Sequence, residues 1–507
     1  MKTFLAIDFG TTQTSVAMLK EHSKQVPEVI EINDGQKTVK AIATALQLDD
    51  YKNITYFGAK ALVKAEEDPE KTFQNFKVFV GKNSREFQLK TEQNSYSPDD
   101  LALLYLRKLR ETIEEHYFNG TKLSDNRELT CIIGCPSDFN EIQKKTLKDI
   151  AANAGFPNPK LCDEPIGAIY YNHFFGGLEL KPSQNILVYD FGGGTTDVVI
   201  AKVKVSDNGK IEPSVLSVSG LTDLGGRNFD EVIANYYMKE NNYDLRTVSV
   251  KDKLHDQWVI NLAARQAKED LSSKNSVEKM INRLKVINSQ RPNKLLLSRD
   301  KFNEICGGLI GKFDDPIYDA LTLAGLSVDD VDVVILAGGS SAMPYVLESM
   351  RKMFPLNKTK ILVSSGIEII AQGLAVYGQV EELGIKAKKG EESQEIKGSK
   401  NINLDDYFKK EEEKSGTSGT TTSSAENNDN GIDKKVKIPL WVIVMFVMLI
   451  IIFVMIYSSM QTEITRLEQN QATLQIQLEQ AKRSTASQSS TNQSWWDWIW
   501  DKIVFWK

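Results

Sequence analysis

The chain has 507 residues, more than one hydrophobic core usually supports, so we expect two or more compact domains. Hydrophobic residues make up 41% and charged residues 26% of it, which is ordinary for a globular protein. The formal net charge of −6 gives no electrostatic reason to expect a nucleic acid as partner.

The cysteines and histidines, four of each, form no close cluster in the sequence. Cys131 and Cys135 are four residues apart in an apolar run that predicts a strand, so their sulfur atoms would lie too far apart to share a metal. We therefore expect reduced thiols rather than a zinc site or a disulfide framework. The N-terminus lacks the basic segment and long apolar run of a secretory signal, so we expect the first domain to stay in the cytoplasm.

Three segments share one design, a short apolar strand followed by a turn rich in glycine and hydroxyl groups. They are residues 3–12 (TFLAIDFGTT), 185–197 (NILVYDFGGGTTD) and 331–341 (VDVVILAGGSS). Strands alternate with helical patterns between them, for example at residues 141–154 and 302–324, which predicts an α/β fold with partly parallel sheets. The first two segments are near-copies, so we expect a duplicated lobe rather than a solenoid of short repeats.

These turns suit the phosphate chain of a nucleotide. Phosphates on Mg²⁺ need backbone N–H groups and hydroxyls at close range, together with carboxylates that hold the metal or its waters. Glycine after a strand lets the backbone approach the phosphate, because no Cβ atom stands in the way. One such turn would be a weak signal, but two near-copies and a third Gly-Gly-Ser-Ser turn together predict a nucleotide site.

On these motifs, residues 3–378 resemble the ATPase domain of the DnaK-type heat-shock chaperones, within the actin-like ATPase superfamily. Five further stretches resemble that family in the same order: residues 58–81 (ending NFKVFVG), 135–155 (opening CPSDFNEIQ), 163–171 (DEPIGAIYY), 224–230 (LGGRNFD) and 263–273 (AARQAKEDLSS). The resemblance implies two ribonuclease H-like lobes within residues 1–380, lobe I at about 1–183 and lobe II at about 184–380. It also implies ATP or ADP with Mg²⁺ as cofactor.

The resemblance implies roles for the matching residues. Lys77 would reach the γ-phosphate and the attacking water, and Glu164 would couple catalysis to lobe motion. Asp8 and Asp190 would bind Mg²⁺ through water, and Asp190 and Thr195 would complete the catalytic set. The residues implied in nucleotide binding are Gly10, Thr11, Thr12, Gly192, Gly193, Gly194, Thr195, Lys268, Ser272, Gly338, Gly339 and Ser340.

The sequence departs from the family at the base site. Ala342 and Glu269 stand where two arginines commonly sandwich the adenine, and Arg265 stands where a glutamate helps to hold the nucleoside. Losing guanidinium stacking removes a favourable aromatic contact, so we expect weaker nucleotide binding, or altered base choice, than in a typical chaperone. Lys144 replaces an arginine beside the switch proline, Pro136, which keeps the charge without the bidentate fork.

The composition changes after residue 380. Residues 381–437 are rich in Lys, Glu, Ser and Thr, which predicts a disordered linker in place of the family's peptide-binding domain. Residues 438–457 (IPLWVIVMFVMLIIIFVMIY) carry no charge, and a helix of this length spans ~30 Å, which predicts one transmembrane helix. Lysines precede the helix and no charge follows until Glu463, so we expect the ATPase domain on the cytoplasmic side of the cytoplasmic membrane and the tail outside.

The tail has two parts. Residues 458–483 space apolar side chains at three to four residues, which leaves open a short coiled coil that forms a homodimer and an amphipathic helix. Residues 484–507 are a polar spacer and a segment with five tryptophans, WWDWIWDKIVFWK. We expect this segment to lie on the outer lipid surface, with an anchor for a protein partner as the alternative.

The leading hypothesis is a membrane-anchored switch driven by ATP hydrolysis, without client-peptide binding, whose two states an unknown protein partner reads. A pseudo-ATPase scaffold is the second hypothesis, favoured by the base-site departures and opposed by the intact acids, threonines and Lys77. A membrane-bound actin-like filament is the third, and the stretches at 224–230 and 263–273 argue against it. An extracytoplasmic receptor with a passive cytoplasmic domain is the fourth.

Overall fold

The computed structural model describes residues 1–33, 37–82, 89–90, 95–205, 211–221, 224–241, 249–282, 284–285, 293–355, 357–364, 366–383 and 402–403. The predicted transmembrane helix, the coiled coil and the tryptophan-rich segment lie outside these residues. Within them, no helix is long and apolar enough to cross a membrane.

Strands and helices alternate along the described residues, in agreement with the predicted α/β class. The strands are β1 (Thr3–Phe9), β2 (Gln13–Lys20), β3 (Glu28–Val29), β4 (Ile32–Asn33), β5 (Thr38–Val39), β6 (Ala41–Ala43), β7 (Ala45–Leu48), β8 (Ile54–Phe57), β9 (Thr72–Gln74), β10 (Leu89–Lys90), β11 (Ser95–Tyr96), β12 (Leu129–Cys135), β13 (Lys160–Asp163), β14 (Asn185–Phe191), β15 (Thr196–Val205), β16 (Ile211–Leu221), β17 (Ser276–Met280), β18 (Lys294–Ser298), β19 (Val333–Ala337), β20 (Lys360–Val363) and β21 (Ile402–Asn403). The α-helices are α1 (Ala59–Lys64), α2 (Pro98–Tyr117), α3 (Glu141–Asn153), α4 (Glu164–Phe174), α5 (Gly226–Glu240), α6 (Val250–Leu271), α7 (Arg299–Ile310), α8 (Asp315–Ala324), α9 (Pro344–Met353) and α10 (Ile369–Leu383). Short 3₁₀ helices are Pro69–Lys71, Phe76–Phe79, Leu123–Asp125, Val328–Asp330 and Gly339–Ala342.

Two central sheets share one strand order. In the first, β13, β12, β1 and β2 are neighbours, with β1 parallel to β12 and antiparallel to β2. In the second, β20, β19, β14 and β15 are neighbours, with β14 parallel to β19 and antiparallel to β15. The two near-copies end β1 and β14, so the repeated sequence stands at equivalent places in the two sheets.

Helices cover both faces of the first sheet, which explains why β1 is apolar along nearly its whole length. Successive side chains of a strand point to opposite faces. Leu5 and Ile7 accordingly pack in one core with α2 and α3, whereas Phe4 and Ala6 pack in another with α4 and α10. The second core also contains Val188 of β14 and is therefore shared by the two sheets.

Helices α4 and α10 cross inside this shared core at two glycines. A Cβ atom at Gly373 would lie 1.7 Å from the carbonyl oxygen of Gly167, and a Cβ atom at Gly167 would lie 2.8 Å from the carbonyl oxygen of Ile370. No side chain fits between backbones this close. The crossing brings together two helices that both pack between the sheets.

The C-terminal end of α10 is tied to the first sheet by Glu382. Its carboxylate accepts hydrogen bonds from the Lys2 ammonium at 3.1 Å, the Lys160 ammonium at 2.7 Å and the Thr130 hydroxyl at 2.9 Å. These bonds outweigh the effect of burial, which acts against the charge, so the pKa of Glu382 lies below its ordinary value. The end of this helix is therefore held by charge as well as by packing.

Two residues within the predicted linker form a strand. Ile402 pairs with Val363 and Asn403 pairs with Leu362, so β21 lies antiparallel to β20 at one edge of the second sheet. The third of the strand-and-turn segments, residues 331–341, forms β19 and the turn that follows it. It therefore belongs to the same sheet as the second near-copy.

Candidate functional site

The two glycine-rich turns face each other between the central sheets. Residues 10–12 join β1 to β2, and residues 192–195 join β14 to β15. A Cβ atom at Gly193 would lie 2.5 Å from the side chain of Thr12. Because this approach leaves no room for a side chain, glycine is required where the turns meet.

A cleft of about 220 Å³ opens beside these turns. The residues predicted from the sequence that line it are Asp8, Gly10, Thr11, Thr12, Lys77, Glu164, Asp190, Gly192, Gly193, Gly194, Thr195, Gly338 and Gly339. The structure thus brings thirteen of the predicted site residues into one cavity. Three others, Lys268, Ser272 and Ser340, lie elsewhere, as described below.

Lys77 is buried in the wall of the cleft by the packing of its own segment. It lies in a 3₁₀ helix with Phe76, which is buried with its ring centroid 6.3 Å from that of Phe9. Gln143, in the first turn of α3, donates its side-chain amide to the carbonyl of Val80 at 3.3 Å. The side chain of Lys77 is consequently 3% exposed.

Glu164 receives the charge of Lys77. It is the first residue of α4, where Pro165 is tolerated because the first turn needs no N–H partner, and where a negative charge is favoured by the helix dipole. The Lys77 ammonium donates to the Glu164 carboxylate at 2.6 Å. Burial opposes the charge of Lys77, but the carboxylates of Glu164 and Asp8 outweigh it and raise the pKa of Lys77 above its ordinary value.

The cleft is rich in buried carboxylates. Burial, with the charge of Glu164, raises the pKa of Asp8 well above its ordinary value and that of Asp190 to about 7, although Lys77 acts in the opposite direction. Burial, with Asp190, Asp138 and Glu164, raises the pKa of Asp197 to about 8. The shifts share burial as their largest cause, and the neighbouring carboxylates add to it, so that acidic groups outnumber basic ones in the cleft.

That imbalance fits a divalent cation. Oxygen ligands are what Mg²⁺ prefers, and it usually keeps several of its waters when it is bound beside phosphates. Among the described residues, no three His, Cys, Asp or Glu side chains are placed to ligate one metal ion. A cleft lined by several carboxylates suits a hydrated cation held through its water shell, as the resemblance implies for Asp8 and Asp190.

Asp197 is the main residue to which the sequence analysis assigned no role. It pairs with Asp190 across the β14–β15 register, and the Thr195 hydroxyl donates to its carboxylate at 3.1 Å. Asp197 closes the second near-copy, GGGTTD, so its position in that motif was a usable signal. Asp138, two residues after Pro136, also lines the cleft, and only its place in the stretch at 135–155 pointed to it.

Other residues that line the cleft could not be predicted from the sequence. Gly366, Ile367 and Ile370 come from the segment that leads into α10 and its first turn, far along the chain from the glycine turns. Lys82 and Gln13 come from the segments around Lys77 and after the first turn. No local pattern marks them, because only the packing of the two sheets places them at the cleft.

Ser340 supports the second glycine turn. Its hydroxyl donates to the carbonyl of Gly192 at 2.9 Å, and the N–H of Gly226 donates to the same carbonyl at 3.0 Å. A Cβ atom at Gly226 would lie 2.7 Å from the Ser340 hydroxyl oxygen and 2.9 Å from the Lys268 ammonium nitrogen. The stretch at 224–230 therefore packs directly on the turn.

Lys268 and Ser272 lie in a second, shallow groove beside the cleft. The Lys268 ammonium donates to the carbonyl of Gly226 at 2.6 Å and is 2.7 Å from the Asp230 carboxylate. Burial raises the pKa of Asp230 although Lys268 opposes the shift. Lys268 and Ser272 are therefore separated from the phosphate turns by the residues that support the second turn, Ser340 and Gly226.

The altered base-site residues do not replace the missing arginines. Arg265 and Glu269 are one helical turn apart on α6 and form an ion pair at 2.9 Å, with exposed fractions of 39% and 57%. Ala342 ends a 3₁₀ helix and presents only a methyl group. Among the described residues around the cleft and the groove, neither Arg265 nor Glu269 forms part of the lining.

Lys144 contacts the N-terminal end of α4. Its ammonium lies 3.3 Å from the Asp163 carboxylate, which also accepts a hydrogen bond from the Cys135 thiol at 3.4 Å. Cys135 precedes Pro136, and Asp163 precedes Glu164. Two contacts, from Lys144 and from Cys135, therefore connect the proline segment to Asp163, the residue before the acid that pairs with Lys77.

The family model described as Hsp70 protein matches residues 4–390.

Proposed function

Because the chain belongs to the Hsp70 family, we propose that it binds Mg-ATP in the cleft and hydrolyses it to ADP and phosphate as a conformational switch. The observation that carries this proposal is the buried Lys77–Glu164 pair, 2.6 Å apart, in the same cavity as both glycine turns. A family domain alone would support nucleotide binding. The intact pair adds a candidate catalytic group at the place where a terminal phosphate would lie.

The residues of the cleft have distinct roles in this proposal. Backbone N–H groups of the two turns and the hydroxyls of Thr11, Thr12 and Thr195 bind the phosphates, since phosphoryl transfer depends mainly on positioning and charge stabilisation. Lys77 stabilises charge on the terminal phosphate and orients the attacking water. Asp197, whose carboxylate lies in the same cleft, accepts the proton that this water loses once a bound cation has stabilised its ionised form.

Asp8 and Asp190 would hold Mg²⁺ through water molecules. The ion, when bound, supplies positive charge that stabilises the negative charge developing on the phosphates. The carboxylates of this chain then orient the water shell and regain a partner for their buried charge. Binding of the ion with the nucleotide is therefore expected to return the pKa values of these acids toward their ordinary range.

The switch itself would use the two sheets as rigid bodies. Their turns approach each other at Gly193 and Thr12, and α4 and α10 cross behind them at Gly167 and Gly373. We propose, as the resemblance implies, that these are two ribonuclease H-like lobes that close on ATP and open after hydrolysis. Closure would change the surface that a protein partner contacts.

We further propose that residues 438–457 anchor the chain in the cytoplasmic membrane, with the ATPase domain in the cytoplasm. The sequence supports this through twenty uncharged residues preceded by Lys434, Lys435 and Lys437. Deleting 438–457 should move the protein from the carbonate-resistant membrane fraction to the supernatant. Recovery of the intact chain in the supernatant would contradict the anchor.

Phosphate release by the purified full chain tests the enzymatic proposal. Under single-turnover conditions with Mg-ATP, wild type should release phosphate, and Lys77→Ala should reduce the rate at least about 100-fold. Lys301→Ala is the matched control, because this lysine of α7 is 35% exposed, pairs with the exposed Glu304 and lines neither the cleft nor the groove. Equal rates for Lys77→Ala and wild type would contradict the proposed role.

A pseudo-ATPase scaffold is the second candidate, and a specific observation favours it. Arg265 and Glu269 pair with each other and line neither the cleft nor the groove, so these positions lack the groups that the resemblance implies for holding a nucleoside. In this case wild type would bind Mg-ATP without releasing phosphate in a single turnover. The linker and tail would then carry the function by holding a nucleotide-locked domain at its place.

A further inference from the structure

The groove beside the cleft has the chemistry of a binding site for a planar ring. Its polar lining is Lys268, Ser272 and Arg299, and its apolar lining includes Phe302 and Tyr345. Small-molecule sites commonly combine apolar and aromatic walls with a few polar groups that set orientation. The groove is shallow, with a cavity volume of only about 10 Å³, so it does not enclose a ring, and a flat, partly polar group would bind by lying against its aromatic wall.

The groove is linked to the phosphate turns through the residues that stand between them. The segment from Gly338 to Tyr345 begins in the lining of the cleft and ends in the lining of the groove. Lys268 makes the same connection from the other side, because its ammonium contacts the Gly226 carbonyl and the Gly226 N–H contacts the Gly192 carbonyl. A nucleotide with its phosphates at residues 192–195 would extend its base toward this groove.

Tyr345 is the outermost ring of an aromatic column that starts at the second glycine turn. Phe191 contacts Phe229 edge-on at 6.1 Å between centroids, Phe229 stacks on Phe302 at 5.8 Å, and Phe302 stacks on Tyr345 at 5.4 Å with 13° between the ring planes. The first three rings are buried, whereas Tyr345 is half-buried in the groove lining. The column holds the Tyr345 ring in place from beneath.

A hydrogen bond also fixes the ring at its other end. The Tyr345 hydroxyl donates to the carbonyl of Arg299 at 3.3 Å. The Arg299 guanidinium in turn donates to the carbonyls of Leu271 at 3.0 Å and Ser272 at 3.4 Å, at the end of α6. A ring held from two sides binds another ring with little loss of conformational entropy.

We propose that Tyr345 is the residue on which the nucleobase stacks, in place of the arginine side chains that this chain lacks. This inference rests on the proposed ATP site and names a specificity-determining residue within it. Base–aromatic stacking does not need a guanidinium, because every base presents a π face.

Calorimetry on the full chain with two ligands tests the proposal. ATP carries a base, and inorganic tripolyphosphate presents the phosphates alone. Tyr345→Leu keeps an apolar side chain without a ring, and Tyr345→Phe keeps the ring without the hydroxyl. We expect the leucine variant to bind ATP between about 5-fold and about 150-fold more weakly than wild type. We expect the phenylalanine variant to stay within about 3-fold of wild type, because the ring that stacks is retained.

Tripolyphosphate separates a base contact from a folding defect. Equal tripolyphosphate affinity in all three proteins, with weaker ATP binding only in Tyr345→Leu, is the expected result. Unchanged ATP affinity in Tyr345→Leu overturns the inference and leaves the proposed function standing. A parallel loss for both ligands also overturns it, because the residue would then act on the whole site. Absence of ATP binding in wild type overturns the proposed function together with the inference.

Discussion

The Lys77 ammonium donates to the Glu164 carboxylate over 2.6 Å, although 87 residues separate the two in the chain. Both side chains are buried, at 3% and 10% exposure. A buried pair of this kind is costly to break, because removing one partner leaves the other charge without compensation in a poorly solvated place. The pair therefore affects both catalysis and the stability of the cleft.

A double-mutant comparison tests the coupling between these two residues. Lys77→Met leaves Glu164 close to the buried acids Asp8, Asp190 and Asp197 and should destabilise the nucleotide-free chain by about 3 kcal/mol. Adding Glu164→Gln removes one of the uncompensated charges and should restore part of the lost stability. Thermal unfolding of the full chain measures both variants. Strictly additive losses would contradict the coupling.

The glycine crossing of α4 and α10 makes a steric prediction. Gly373→Ala would place a Cβ atom 1.7 Å from the carbonyl oxygen of Gly167, so the helices must separate. We expect a loss of about 1–3 kcal/mol or more in the free energy of unfolding, together with impaired ATP turnover. Unchanged Tm would show that the helices pack differently.

Gly307→Ala is the matched control for that substitution. Gly307 also lies inside a helix, α7, but its Cβ atom would have no heavy atom within 4 Å. Alanine is the better helix former by about 1 kcal/mol, so this variant should be as stable as wild type or more stable. Comparing Gly373→Ala with Gly307→Ala therefore separates the steric effect at the helix crossing from the effect of helix propensity.

A substitution at Gly338 would show whether the backbone there must leave room for the Asp190 carboxylate in the cleft. It has φ of 80°, and a Cβ atom there would lie 2.5 Å from a carboxylate oxygen of Asp190. Gly338→Ala should displace Asp190 and weaken Mg-ATP binding, which calorimetry at fixed Mg²⁺ would measure.

Gly325→Ala is the control for that substitution. Gly325 also has a left-handed backbone conformation, with φ of 67°, but a Cβ atom there would have no heavy atom within 4 Å. This substitution should cost about 1–2 kcal/mol of stability without changing ATP affinity.

Glu382 predicts a pH-dependent contribution to stability. Its pKa in the folded chain is lowered, so its ionised form stabilises the fold at pH values above the ordinary pKa of glutamate. Glu382→Gln should lower Tm by a few degrees at pH 7. The Tm difference between wild type and this variant should shrink as the pH falls below about 4.3, the ordinary pKa of glutamate, and then through the lower pKa of Glu382 in the folded chain. At that pH the wild type has lost the same charge.

An exposed pair provides the control for the Glu382 experiment. Glu304, on α7, is 67% exposed and lies 2.8 Å from the Lys301 ammonium. Exposed ion pairs contribute little, since water screens them and the side chains lose freedom in forming them. Glu304→Gln should therefore leave Tm unchanged across the same pH range. A pH-independent effect at Glu382 would mean that its hydrogen bonds act without its charge.

Base recognition can be compared with a typical family member. The loss of two arginines at the base site predicts weaker ATP binding, or a changed preference among bases, for the full chain. Calorimetry with ATP and GTP, beside a chaperone that retains both arginines, measures this difference. Equal micromolar or better ATP affinity in the two proteins would contradict the prediction.

Much of the site could be predicted from the sequence because its chemistry is local. Asp8 and Asp190 stand at strand ends followed by glycine and threonine, and this arrangement is readable in a stretch of ten residues. The family resemblance added Lys77 and Glu164 through their flanking residues. Likewise, the alternation of strand and helix patterns depends on side-chain periodicity, which neighbours in the chain determine.

The tertiary structure alone decided which of these residues meet. It placed Lys268 and Ser272 in a groove apart from the phosphate turns and made Tyr345 the last ring of a column that begins at Phe191. It also brought Glu382 against Lys2, Thr130 and Lys160, which are 380, 252 and 222 residues away in the chain. Such contacts depend on how sheets and helices pack over long sequence separations, and no local spacing encodes that packing. The sequence by itself therefore determined which chemical groups the protein has, and the fold determined their partners.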